Sequence, residues 1–416
     1  MWVRAKLSRC RTAILAISLI VFLAAVIQIA LSLGMRAEAH MEPSGPRLHS
    51  SASVLWHAGN FRYLESMSAD LVTFVQGLEH PFSQNYKKLS STRKGNFNAF
   101  LNSLFAAIDA SLIDGNSGDW CAVKSAASTA GYAVFRFYDT GSGRWFVHGY
   151  DTSSFGQAYF FINPYAKRNI VIEVPHEGFE SDTGSEGARL FKALAARALI
   201  INKEHRCSDP DPTPCGSGSS EVCDYLRESD VAHHTANTFY LLHVKYNDSD
   251  PQTKFVQLHG FTSSPADMVE IGDGTNADVA GSSVSNIFAA SLRSRVPNGA
   301  AVHSCQGYIG DPPSNLCGET NVEGRYSNNR DTSDCPAAAS VSTARFLHIE
   351  QALTLRDDDN SDGWYWSDVR DALLALWPDC NLNNGSTDCT LGAAQTQYGG
   401  LACPPAATAI GRNSVY

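Results

Sequence analysis

The chain has no GxSxG turn, no HExxH pair, no GxxxxGK[ST] loop and no GxGxxG stretch. The first absence removes the nucleophile elbow of a serine hydrolase, and the second removes a helical zincin site. The last two remove the phosphate-cradling loops of nucleotide enzymes. There is no internal repeat. There is no CxxC knuckle either, because Cys207, Cys215 and Cys223 stand too far apart to make one. Basic charge is in short supply: 32 Lys and Arg face 42 Asp and Glu, for a net charge of −10. Arg4, Lys6, Arg9 and Arg11 crowd the first eleven residues, so the remainder carries 28 basic against 42 acidic residues, or −14. Nucleic-acid affinity comes from neutralising phosphates, and a surface this acidic excludes it as a partner.

Charge is absent altogether across the 23 residues from Ala13 to Met35. That length spans a bilayer, and the basic flank before it should stay cytoplasmic while the bulk is translocated. Residues 1–40 therefore read as a flank and an N-terminal membrane-spanning signal-anchor. Ala37-Glu-Ala39 offers a signal-peptidase site, which would make the protein secreted instead. The apolar run exceeds an ordinary signal core, which favours the uncleaved anchor. The bulk then sits outside the cytoplasm, periplasmic or extracellular. Of the eleven cysteines, Cys10 lies in the flank and ten lie beyond it, an even number that suits disulfide-bearing loops in an oxidising compartment.

Residues 41–117 read as a polar stalk and a helical lead-in, with apolar residues at helical spacing from Leu64, Met67 and Leu71 through Phe105 and Ile108. From 118 to 378 the pattern becomes that of one α/β domain. Ala133–Tyr138 and Trp145–His148 flank Gly141-Ser-Gly143 as a hairpin. Strands follow at 159–163 and 170–174. Then come a helix from Ser185 to about Ala196, a strand at 198–202, and a helix capped by Ser229 and running to about Tyr246. Further strands fall at 255–259, 300–303 and 346–350, with helices at 283–292 and 366–376. Such alternation predicts an α/β fold: a mostly parallel or mixed twisted sheet with helices on both faces. Residues 379–416 read as a Cys-containing tail. Asp357–Gly363 looks like the front of a calcium loop, but Val369 stands at the twelfth position, so it reads as a solvated acidic turn.

The chemistry gathers at strand ends, where such sheets bind ligands. Asn169–Val174 leads into Pro175-His176, with Glu180 four residues on. His259 closes Phe255–His259 and Glu350 closes Phe346–Glu350. A hydrolytic zinc centre needs three protein ligands and an open position for water. His176 and His259 fit as neutral imidazole ligands and Glu180 as the third, with Asp182 and Glu186 as competitors. Glu350 is the candidate general base. Arg206, beyond the strand at 198–202, is placed to bind a substrate carboxylate or steady an oxyanion. The other histidines take structural readings: His233, His234 and His243 on one helix, His234 paired with Asp230 a turn away, His348 pointing away from the face that Glu350 uses or flanking it, and His205 behind the site.

The order strand–His…Glu, Arg, strand–His-Gly, strand–Glu resembles the zinc carboxypeptidase superfamily. That group includes metallocarboxypeptidases, poly-γ-glutamate hydrolases and N-formylglutamate amidohydrolase-like proteins. The likeness covers roughly residues 130–356 and rests on Glu-Val-Pro-His176, Ala-Arg-Ala-Leu-Ile-Ile-Asn202, His205-Arg-Cys207, Arg227–His233, Gln-Leu-His-Gly260 and Phe346–Arg356. It implies Zn2+ on His176, Glu180 and His259, with Glu350 as base. Metallocarboxypeptidases carry HxxE, whereas here the gap is one residue longer. In poly-γ-glutamate hydrolases a second Glu follows the His by ten residues, the place of Glu186. The expected function is a zinc-dependent amide hydrolase, peptidase-like or γ-glutamyl-type. Its expected substrate is a peptide, or an amide-bearing small molecule or polymer, that carries a carboxylate. The alternatives are an N-acyl-amino-acid amidohydrolase and an inactive surface binding module.

Overall fold

The computed structural model describes residues 64–78, 86–114, 119–153, 155–202, 204–215, 223, 226–261, 269–277, 283–296, 301–306, 316–330, 337–356 and 366–379. The expected membrane span, the acidic turn after Arg356 and the cysteine-bearing tail lie outside these residues. Among the described residues no helix is long and apolar enough to cross a membrane.

Ten strands form one mixed sheet among the described residues. In chain order they are β1 (Glu65–Ala69), β2 (Tyr132–Asp139), β3 (Arg144–Asp151), β4 (Tyr159–Ile162), β5 (Ile170–Val174), β6 (Ala198–Ile201), β7 (Lys254–Phe261), β8 (Val269–Gly272), β9 (Val302–Ser304) and β10 (Phe346–Ala352). In space the order is β1-β2-β3-β4-β6-β5-β7-β10-β8-β9. The centre, β6-β5-β7-β10, is parallel. On one side β2, β3 and β4 run as an antiparallel meander onto β6, and on the other β8 runs antiparallel to β10. The expected hairpin is β2–β3, and the sheet is mixed.

Alternation sorts the central strands onto two faces. Ile170, Ile172 and Val174 of β5, Val256 and Leu258 of β7, and Leu347 and Ile349 of β10 enter one core. That core is covered by α1 (Leu71–Gln76), α4 (Thr183–Ala193), α6 (Val284–Arg293) and α8 (Trp366–Leu376). Val171, Phe255 and Phe346 enter a second core under α2 (Ser91–Asp114), α3 (Trp120–Ala130) and α5 (Thr238–Ser249). The remaining residues of this second face, Glu173, Gln257, His259, His348 and Glu350, share its parity and lie toward the strands' carboxyl ends.

Three sequence expectations are corrected. Residues 65–69 form β1, paired in parallel with β2, although Leu64 and Met67 fit a helical period. The segment sequence, ESMSA, is a half-exposed edge strand whose stability comes from the ladder with β2. The helix expected from Ser229 is broken: a 3-10 turn at Val231–His233 precedes α5, which is capped by Asn237, whose Oδ1 accepts from Tyr240 N at 2.7 Å. An Asn cap satisfies a donor that helix continuity would leave orphaned. His233 and His234 therefore do not share a helix with His243. It is His233 that faces Asp230 (Nδ1 to Oδ1, 3.1 Å), while His234 Nδ1 lies 3.2 Å from Thr213 Oγ1. Disulfides join Cys207 to Cys223 and Cys305 to Cys317.

Candidate metal centre

β5 ends at Val174, and the chain curls back on itself immediately afterwards. The amides of Phe179 and Glu180 both donate to His176 O, at 2.8 and 2.7 Å. That turn returns the Glu180 carboxylate to His176, with Oε1 2.9 Å from Nδ1. β7 delivers His259 from the adjacent strand. Its Nδ1 lies 3.4 Å from Glu180 Oε2, and the next amide, Gly260 N, donates to the same oxygen at 2.9 Å. The two imidazole centroids are 4.9 Å apart at 71°. One donor atom from each of His176, Glu180 and His259 lies within 4.8 Å of the others, and all three side chains are buried.

The opposite nitrogens are also occupied. His176 Nε2 stands 3.0 Å from Asp230 Oδ1, and His259 Nε2 stands 2.9 Å from Gln257 Oε1. An acceptor behind each ring calls for N–H there, so that a cation displacing the proton between Nδ1 and Glu180 would find Nδ1 as its ligand atom. That is how an imidazole is prepared as a ligand. Two nitrogens and one carboxylate oxygen gathered on one corner are a donor set suited to zinc. The fit therefore holds on the chain's own geometry.

The electrostatics agree. Burial opposes ionisation of Glu180, but His176 and His259 beside it hold its carboxyl well below the usual range. Burial and the Arg206 charge oppose protonation of His176, yet Glu180 and Asp230 lift it to about 9. Burial pushes His259 down to about 4. Carboxylates thus draw positive charge into this corner, and a divalent cation answers the same field.

Glu350 lies opposite His259 in the β7–β10 ladder, with Oε1 3.8 Å from His259 Nδ1. Burial and the neighbouring Glu180 charge push its carboxyl up to about 8. Arg206 arrives from the loop after β6. Its Nε and Nη2 donate to Asp230 Oδ2 at 3.1 and 2.5 Å, and its Nη1 donates to Glu180 Oε1 at 3.3 Å. His176, Glu180, His259, Glu350 and Arg206 therefore meet in one place. Asp182, just ahead of α4 with φ at 69°, and Glu186, whose Oε2 accepts from Gln351 Nε2 at 2.7 Å, are not in the donor cluster.

Three residues of the site went unread in the sequence. His348 shares the parity of Glu350, so of the two orientations open to it the structure shows the flanking one. Its Nε2 lies 3.5 Å from Glu350 Oε1 and its ring is 4.5 Å from that of His259. The i, i+2 spacing of His348 and Glu350 on one strand was the available signal, and Gln257 with His259 carried the same one. Asp230 had no local signal, because it reaches His176 from the end of a long cysteine-bearing loop.

No family model matches the chain, and no curated protein sequence matches it. Solved structures do. The chain is similar to a bacteriophage poly-gamma-glutamate hydrolase at 12% identity and TM-score 0.32, over 53% of this chain and 87% of that one. It is similar to N-formylglutamate amidohydrolase from Ralstonia eutropha JMP134 at 12% identity and TM-score 0.31, over 53% and 96%. A third is a metallo-carboxypeptidase from Pseudomonas aeruginosa, at 13% identity and TM-score 0.28, over 59% and 63%. Likenesses of this size carry no argument about chemistry, which has to stand on the site itself.

Proposed function

We propose that the chain is a zinc-dependent amide hydrolase acting outside the cytoplasm. One observation carries the reading: His176 and His259, each held from behind by its own acceptor, turn Nδ1 toward the Glu180 carboxylate, with a second buried carboxylate, Glu350, alongside. His176, Glu180 and His259 are the residues that would hold the ion. A zinc ion there supplies Lewis acidity toward water and toward an amide carbonyl.

The chain's own groups do the rest. Glu350 takes the proton of the attacking water and returns it to the leaving nitrogen. A carboxyl raised by burial is suited to both steps. Asp230 locks the orientation of His176 and neutralises Arg206, which leaves the Nη1 edge of Arg206 toward the site. That edge is the group that would meet an oxyanion or a substrate carboxylate. A peptide or γ-glutamyl-type amide with a nearby carboxylate is the substrate class this favours. Disulfides at Cys207–Cys223 and Cys305–Cys317 support an oxidising compartment.

The test is metal analysis of the purified full chain beside an amidase assay on γ-glutamyl, peptide and N-acyl-amino-acid substrates. About one zinc per chain and activity lost to a chelator are expected. Activity that survives both chelation and Glu350→Gln would reject the mechanism.

A further inference from the structure

Behind His259, on the side away from Glu180, the hydrogen bonds continue into the core. Gln257 Oε1, 2.9 Å from His259 Nε2, also accepts from Asn321 Nδ2. Gln257 Nε2 donates to Glu173 Oε2 and to Glu323 Oε2, both at 3.3 Å. Glu173 Oε1 lies 2.7 Å from His243 Nδ1, and His243 Nε2 lies 3.0 Å from Ser327 Oγ. Gln257, Glu173, Glu323, His243 and Ser327 are each fully buried. Polar groups in such a position are costly unless paired, and every side-chain N and O atom of these five residues except Glu323 Oε1 has a partner.

A side-chain amide has one accepting end and one donating end. Two carboxylates stand at the donating end of Gln257. Turning the amide over would give up its two donated bonds, to Glu173 Oε2 and Glu323 Oε2, and set its N–H groups against Asn321 Nδ2. We infer that Gln257 is a positioning residue of the metal centre: held by Glu173, Glu323 and Asn321, it presents its oxygen 2.9 Å from His259 Nε2, closer than the Asn321 Nδ2 donor at 3.4 Å, which favours the Nε2–H tautomer of His259 with Nδ1 free for the metal. His243 serves the same end one step further back. Its Nδ1–H holds Glu173 in place, and the Ser327 hydroxyl donates to its Nε2. The tautomer of a ligand on β7 is thereby set by a carboxylate on β5 and by Asn321 and Glu323, which stand at and just inside the start of the helix Val322–Ser327 (α7).

This inference rests on reading His259 as a ligand, but its tautomer can be measured without any metal. The full chain, carrying ring-15N histidine and stripped by a chelator, is examined by NMR, with His259→Asn identifying the resonance. The wild-type ring is expected as Nε2–H. In Gln257→Met the ring is expected to shift toward the Nδ1–H form, and zinc measured by chelator competition should bind about 10- to 100-fold more weakly. An Nδ1–H ring in the stripped wild type overturns the inference, and this holds even if Gln257→Met does not fold. So does a folded Gln257→Met that binds zinc within twofold of wild type. A wild type that takes up no zinc but shows the Nε2–H ring sinks the hydrolase reading and leaves the positioning role standing.

Discussion

The two faces of the central strands are built from the same chain segments by opposite rules. On one face β5, β7 and β10 present Ile172, Val174, Val256, Leu258, Leu347 and Ile349, all buried in a continuous apolar core. On the other the same strands begin apolar, with Val171, Phe255 and Phe346. Within one or two alternations they turn to Glu173, Gln257 and His259, and to His348 and Glu350. Burying so many ionisable groups is unfavourable unless each is paired. The apolar face makes the sheet rigid, and the polar face spends that rigidity on holding three ligand atoms within 4.8 Å. The comparison assigns stability to one face and chemistry to the other, and single substitutions can test the division.

The largest effect should come from the ligands. His259→Ala or His176→Ala is expected to abolish stoichiometric zinc, since two remaining ligands rarely hold it, and to cost at least about 1000-fold in amidase activity. Metal analysis beside a thermal melt checks this. Retention of one zinc by either variant would remove the proposed centre. Glu350→Gln comes next: kcat should fall by roughly 100- to 10,000-fold, the size of a lost general base, while zinc content stays near one per chain. Loss of zinc together with activity would instead make Glu350 a ligand.

Ile172→Ala tests the other face. Ile172 is wholly buried between Leu199 on β6 and Val256 on β7. Its truncation should cost about 2–5 kcal/mol of folding stability by transfer and cavity terms, read by denaturant melts, while kcat of the folded fraction stays close to wild type. A large fall in kcat with stability unchanged would erase the division between the faces.

How much of this was legible before the structure depends on where each residue sits. His176, His259 and Glu350 were legible from an alternating pattern that puts them at the carboxyl ends of strands, although β7 and β10 each run two residues past His259 and Glu350, and the ladder that sets Glu350 opposite His259 is a tertiary fact. Glu180 was legible by its distance from His176, although only the turn onto His176 O separates it from Asp182 and Glu186. Asp230 was not legible, because its approach is set by the Cys207–Cys223 loop and by Arg206, neither of which has a period. β1 was misread because spacing at 64, 67 and 71 fits a helix, whereas the ladder with β2 is a tertiary fact. His348 was discounted although strand parity alone places it beside Glu350.

The smallest effect concerns Glu186, a carboxylate that packs on the apolar face instead of the polar one. It projects from α4 to Gln351 of β10, its Oε1 has no hydrogen-bond partner, and it stands apart from the donor cluster. Burial pushes it up to about 7, against the Gln351 donor and the charges of Arg356 and Arg189. A carboxyl that binds its proton more tightly folded than unfolded stabilises the fold below the unfolded value of about 4.5, and that contribution is lost as pH rises through 7. Glu186→Gln keeps the neutral form at every pH. It should therefore melt like wild type near pH 4 and gain up to about 3 kcal/mol relative to it at pH 8, with zinc content unchanged. If instead the substitution releases zinc, Glu186 belongs to the metal centre, and the boundary between the two faces runs through α4.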